Sequence, residues 1–165
     1  MKIYTTCLFT LLLAAFGLQA QNPVDKDSKY VNFEIDRTPF LSGGLFIQKN
    51  LALEAGVGLA LNDEIGSNGL AMRLAMEKYL SDKRLTPILG GLVRFDINPD
   101  ALQLTGWEGS RLILGGYWGL NYFITSQLAA AVGLGADLQL NSPKNRDSSI
   151  NFFTFTSGIK FKFFF

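Results

Sequence analysis

Along most of this chain apolar residues recur at every second position, in eight separate stretches. The clearest is residues 51–61, where Leu51, Leu53, Ala55, Val57, Leu59 and Leu61 alternate with Ala52, Glu54, Gly56, Gly58 and Ala60. A period of two is the repeat of a strand with unlike faces. At about 3.3 Å per residue and a tilt of roughly 40–45°, this stretch rises on the order of 25 Å, the height of the apolar band of a membrane-spanning barrel. Strands of soluble sheets are usually about half as long.

The same alternation sets Val31, Phe33 and Ile35 against Asn32, Glu34 and Asp36 in residues 30–36, and Leu41, Leu45 and Ile47 against Ser42 and Gly44 in 40–47. In residues 69–80 it opposes Leu70, Met72, Leu74 and Met76 to Ala71, Arg73, Ala75, Glu77 and Tyr79. Leu70, Leu74 and Glu77 also fit helix spacing there, but a lone helix would break the even strand count. Residues 85–95 place Leu89, Val93 and Phe95 opposite Gly90 and Arg94, and residues 111–124 place Leu112, Leu114, Trp118, Leu120 and Tyr122 opposite Arg111, Gly115, Tyr117, Gly119 and Asn121. Residues 128–140 oppose Leu128, Ala130, Val132, Leu134 and Leu138 to Ala129, Ala131, Gly133, Gly135, Asp137 and Gln139. In residues 150–165, Phe153, Phe155, Ile159, Phe161, Phe163 and Phe165 fall on one side, and Phe152, Thr154, Thr156, Gly158, Lys160 and Lys162 on the other.

Tight turns at Lys49, Asp82 and Ser126 alternate with longer connections at Asp63, Pro99 and Lys144, the longest being residues 96–110. With a short link at Arg37 this predicts an all-β fold, an eight-stranded antiparallel up-and-down transmembrane β-barrel over residues 30–165. Both ends of the barrel then lie at the tight-turn rim. The last strand is too apolar for an edge in water, where it would be an aggregation site, and closure against lipid removes the difficulty. A soluble, lipocalin-like barrel shares the period with its leucines turned inward. The opposite face argues against it, because Ala52, Gly56, Gly58, Ala129, Ala131, Gly133 and Gly135 suit a cramped interior rather than a water-facing surface.

Residues 1–20 read as a secretory signal peptide, with Lys2, an apolar core from Leu8 to Leu18 and a small residue, Ala20, before the expected cut. Residues 21–29 are expected to form a flexible N-terminal tail without structural duty. Cys7 precedes the apolar core and leaves with the leader, so the mature chain is expected to have no thiol chemistry. A hydrophobic content of 48% is ordinary, as it should be for a barrel that hides its apolar residues in alternation. The 15 Lys plus Arg against 14 Asp plus Glu, without a basic run, predict no nucleic-acid partner.

The leader, the strand rhythm and the ending Ile159, Lys160, Phe161, Lys162, Phe163, Phe164, Phe165 resemble the outer-membrane protein beta-barrel domain family, small eight-stranded barrels of OmpA and OmpX type. The resemblance covers nearly all of the mature chain and is one of pattern, not of a diagnostic motif. It implies the bacterial cell outer membrane, lipid as surroundings, and recognition of Phe161, Phe163 and Phe165 by the barrel-assembly machinery.

The expected lumen holds Glu54, Arg73, Glu77, Arg94, Arg111, Asp137, Lys160 and Lys162, and ions in so narrow a space must be paired or wet. A structural ion-pair network is the first reading, and a narrow ion or small-solute channel the alternative. Glu54 and Glu77 form no workable glycosidase pair in a lumen too tight for a sugar. The absence of histidine removes Ser-His activation and histidine metal sites. Asp63 and Glu64 lack the ligand count of a calcium loop. Gly56-Val-Gly58 and Gly133-Leu-Gly135 sit within strands and are read as packing glycines, not phosphate loops. No enzyme activity, cofactor or metal is expected. Tyr122, Phe123, Phe161, Phe163 and Phe165 should form an interfacial girdle, with Lys78 extending to the same interface. In the longest loop, Trp107 is read first as an aromatic packing on the barrel rim, and alternatively, with Glu108, as the contact point for an extracellular partner whose identity the sequence does not give. The function expected is that of a structural or surface-interaction barrel with a side-chain-filled lumen.

Overall fold

The computed structural model describes residues 24–35, 39–62, 67–97, 109–143 and 147–165. Eight strands follow in order: β1 (Lys29–Ile35), β2 (Phe40–Gln48), β3 (Leu51–Asn62), β4 (Ser67–Tyr79), β5 (Leu85–Ile97), β6 (Gly109–Phe123), β7 (Leu128–Pro143) and β8 (Ser149–Phe164). Each pairs antiparallel with its sequence neighbour, and β1 pairs with β8 from Tyr30↔Phe164 to Ile35↔Ile159, closing the barrel. The stretch that also fits helix spacing is strand over Ser67–Tyr79, as the even count requires. Strand β5 runs on to Ile97 and β6 starts at Gly109, so Asp96, expected in the long connection, belongs to the wall.

The register fixes the barrel's shape. Followed from Ala131 through Lys160, Glu34, Phe40, Gly58, Ala71, Asp96 and Arg111, it returns to β7 at Asn141, ten residues further along. With about 3.3 Å per residue and about 4.8 Å between strands, that stagger tilts the strands by about 41°. An eight-stranded barrel so tilted has an interior that side chains can fill.

Alternation decides what fills it. Ala52, Glu54, Ala71, Arg73, Ala75, Glu77 and Tyr79 are buried, while Leu53, Val57, Met72, Leu74 and Met76 between them are exposed on the outer wall. Glycines on the inner side make room for rings: a Cβ at Gly44 would fall within the Tyr30 ring, and one at Gly90 within that of Tyr117.

Two irregularities change this pattern. One register shift lies between Phe46 and Gln48 on β2. The other lies where Gly135↔Thr156 gives way to Ala136↔Thr154, leaving Phe155 as the extra residue of a bulge in β8. One inserted residue reverses the faces beyond it. Phe153 therefore pairs with the inward Asp137, and Phe152 pairs with Leu138 on the outer wall, the opposite of the facing expected from strict alternation.

The segment expected to be a free tail is docked over its described part. Val24 is fully buried and joins a cluster with Tyr30, Phe46, Tyr79, Phe123 and Phe164. Its carbonyl accepts from Asn50 N at 2.9 Å, Asp27 N donates to Phe46 O at 2.8 Å, and Phe46 N donates to Ser28 O at 2.9 Å. Asp27 and Asn50 turn the chain there with φ of 70° and 63°, a left-handed conformation that Asp and Asn tolerate. Val24–Ser28 thus folds against the tight-turn rim. One apolar valine in a polar run gives no periodic signal that would announce this.

Candidate functional site: the ion-paired lumen

Inward positions from different sides of the barrel bring together carboxylates and cations that lie up to 85 residues apart in the chain, Glu77 on β4 meeting Lys162 on β8 across the lumen. Glu77 is the lower hub. It is fully buried and accepts from Lys162, from Lys160 Nζ at 2.9 Å, from Tyr117 Oη at 2.6 Å and from Tyr79 Oη at 3.2 Å. Lys162 also donates to Tyr79 Oη at 2.7 Å and lies 5.2 Å from the centre of the Tyr30 ring.

The second hub is Arg73. It donates to Glu34, to Glu54 Oε1 at 2.6 Å and to Ser42 Oγ at 3.1 Å. Glu54 accepts in addition from Asn32 Nδ2 and Tyr30 Oη, each at 3.2 Å. Lys160 Nζ lies 3.7 Å from Glu34 and so links the two hubs. Further toward the loop rim, Asp96 accepts from Arg94 Nε at 2.6 Å and from Arg111 Nη2 at 2.7 Å. The guanidinium groups of Arg73 and Arg94 lie 4.7 and 4.8 Å from the centre of the Phe40 ring, a contact between the two groups of ion pairs.

All eight lumen residues expected from the sequence face inward. Glu54, Arg73, Glu77, Lys160 and Lys162 share one connected network; Arg94 and Arg111 meet at Asp96; Asp137 lines a cavity together with Arg73, Arg94 and Lys160. The sequence reading omitted the partners that complete these groups. Glu34 was legible as an inward position of the first strand, and Asp96 stands two residues from Arg94, hence on the same face. Tyr79 and Tyr117 stand on the same faces as Glu77 and Arg111, and Tyr30 has the parity of Asn32 and Glu34, but nothing in the sequence marks their hydroxyls as partners of the ions. With Glu34 and Asp96 included, inward carboxylates and cations among the described residues are equal in number.

Burying an ion costs several kcal/mol unless its attraction to a partner and its remaining hydrogen bonds make up the loss. The four donors around Glu77 meet that condition, and Arg73 meets it through its two Nη groups, while its buried Nε has no partner among the described residues. Among the described residues the lumen holds a small cavity of about 80 Å³ bordered by Glu34, Arg73, Arg94, Tyr117, Asp137 and Lys160. At about 30 Å³ for each water, it takes only a few. Glu54 and Glu77 are committed to cations beside a cavity of this size, which leaves a sugar no place between them.

At the tight-turn rim the lumen ends in stacked rings. Phe164 lies 5.3 Å from Tyr30 and 5.5 Å from Phe123, and Phe46 lies 5.2 Å from Tyr79. Val24 packs among them. On the outer wall, Phe161 pairs with Phe33 and Ala130, Phe163 with Val31 and Leu128, and Phe165 is half-exposed at the rim. Lys78 stands outward between Leu51 and Leu89. Trp107 and Glu108 lie outside the described residues, as do Asp63 and Glu64.

The architecture is shared with a solved structure, the N-terminal beta-barrel domain of Pseudomonas aeruginosa OprF. The TM-score is 0.51 and the identity 15%, over 85% of this chain and 98% of that one. At this identity the likeness is one of fold, and that fold is the small closed barrel of OmpA type. No family model and no curated protein matches the chain.

Proposed function

We propose that this chain is a small integral barrel of the bacterial outer membrane, exported with residues 1–20 as its leader, whose role is structural or one of surface interaction and whose lumen is plugged. The observation that carries the proposal is the facing of the wall. Leu53, Val57, Leu74, Val93, Leu114, Val132 and Leu134 point outward and are between 41% and 65% exposed, while the ions lie inside. An apolar belt on this scale is far larger than the patches soluble proteins leave uncovered. It is what a closed sheet presents to hydrocarbon. A lipocalin-like carrier would turn these leucines toward its ligand.

The filled interior supports a plug over a channel. A solute would have to displace the Glu77–Lys162 pair and then the rings of Tyr30, Phe46, Tyr79 and Phe164. Phe161 and Phe163, outward on the closing strand, together with Phe165 at its rim, are the proposed contact for the assembly machinery. The loop carrying Trp107 and Glu108 is the proposed site for an extracellular partner. No catalytic step and no cofactor belongs to this proposal.

Cell fractionation with a gel of boiled and unboiled samples tests membrane placement. The barrel should sediment with outer membranes and migrate differently before and after boiling. Recovery in the soluble fraction without detergent would reject the proposal.

A further inference from the structure

The outer edge of the tight-turn rim carries a charged groove that the lumen network does not use. It measures about 310 Å³ and is lined by Asp82, Arg84, Ile124, Thr125 and Ser126 together with Phe123. Arg84 is held in place: Nε donates to Phe123 O at 3.1 Å, Nη2 to Ile124 O at 3.4 Å, and the guanidinium lies 5.0 Å from the centre of the Tyr122 ring. Neither Arg84 nor Asp82 has an oppositely charged partner within 4.0 Å among the described residues. Next to these charges Leu85, Tyr122 and Ile124 expose apolar surface on the wall.

We propose that this groove binds the headgroup of an ethanolamine-type phospholipid, its phosphate on Arg84 and Ser126 and its primary ammonium on Asp82. The inference rests on the membrane placement above and assigns a partner to one point of its rim. A fixed guanidinium and a separate carboxylate lining one groove match a headgroup that carries both signs, and the apolar wall beside them matches its acyl chains. Arg84 offers unused N–H donors to phosphate oxygens. The Asp82 carboxylate accepts hydrogen bonds from a primary ammonium, which a trimethylated one cannot donate.

The test uses the folded full chain in detergent micelles. It is mixed with equal amounts of ethanolamine, choline and glycerol phospholipids of identical acyl chains, and native mass spectrometry counts the lipids retained. Ethanolamine lipid should be retained about tenfold over choline lipid, the worth of one charge-assisted hydrogen bond. Asp82→Asn should erase that preference while phospholipid is still retained, and Arg84→Gln should lower retention of all three. Since Arg84 also ties the turn together, the decision rests on Asp82→Asn, whose side chain is exposed. Equal retention of ethanolamine and choline lipid by the unaltered chain, or a preference that survives Asp82→Asn, overturns the assignment. Vesicle flotation separates the two proposals. A chain that floats without headgroup preference loses this inference alone, and one that never floats loses the membrane placement as well.

Discussion

Glu77 is the residue on which most of the interior converges. Its removal leaves Lys160 and Lys162 buried beside each other without their shared anion. Breaking a buried pair from one side costs about 3–5 kcal/mol, so Glu77→Leu should lower the unfolding midpoint in urea by that equivalent, whereas a charge-reversed surface site would not. Asn121 is the opposite case. It is fully buried, and neither atom of its amide has a hydrogen-bond partner among the described residues. An unpaired buried amide carries a desolvation cost of about 1–3 kcal/mol with no return, so Asn121→Val should leave the urea midpoint unchanged or raise it. A fall of that size would mean that the amide is bonded in the membrane. The sequence showed that these residues face inward, because parity alone decides it. Which inward residue meets which depends on the ten-residue stagger, and that is written in no local pattern.

Among the elements, β8 departs from its own periodicity in mid-strand, as β2 does at its end. Strict alternation put Phe153 with Ile159 on the outer side and Phe152 with Lys160 inside; the bulge at Phe155 exchanges them. Cysteine substitutions carrying a spin label should therefore report lipid at position 152 and water at position 153, and the reverse pattern would remove the bulge. The strand was legible as a strand, yet its extra residue was not, since a phenylalanine fits either side of a pleat until the partner strand is known. The docking of the N-terminal segment is illegible for a related reason: its one apolar anchor is Val24, whose carbonyl bonds the turn that follows β2, and its other ties, at Asp27 and Ser28, are backbone bonds that no side chain announces. Val24→Asp places a carboxylate among Tyr30, Phe46 and Phe164 and should destabilise the folded barrel by several kcal/mol, read as a lowered midpoint in urea. An unchanged midpoint would show that the segment merely rests on the rim.

At the scale of the molecule, the strand count, the facing of the walls and the placement of tight turns at one rim were all legible, because each follows from a period of two repeated eight times. The closed floor was not. It is assembled from Val24, Tyr30, Phe46, Tyr79, Phe123 and Phe164, which come from five strands and the segment before them. Purified protein in planar bilayers should accordingly pass no discrete current steps, and Glu54→Gln should stay as silent as the unaltered chain; regular steps would favour the channel. The claim beneath all of this is that leucines face hydrocarbon and ions face inward. Spin labels at Leu53, Val57 and Val132 in a reconstituted barrel measure it directly. Relaxation by dissolved oxygen with protection from an aqueous quencher is the predicted result, and free access of the aqueous quencher at these three positions would contradict it.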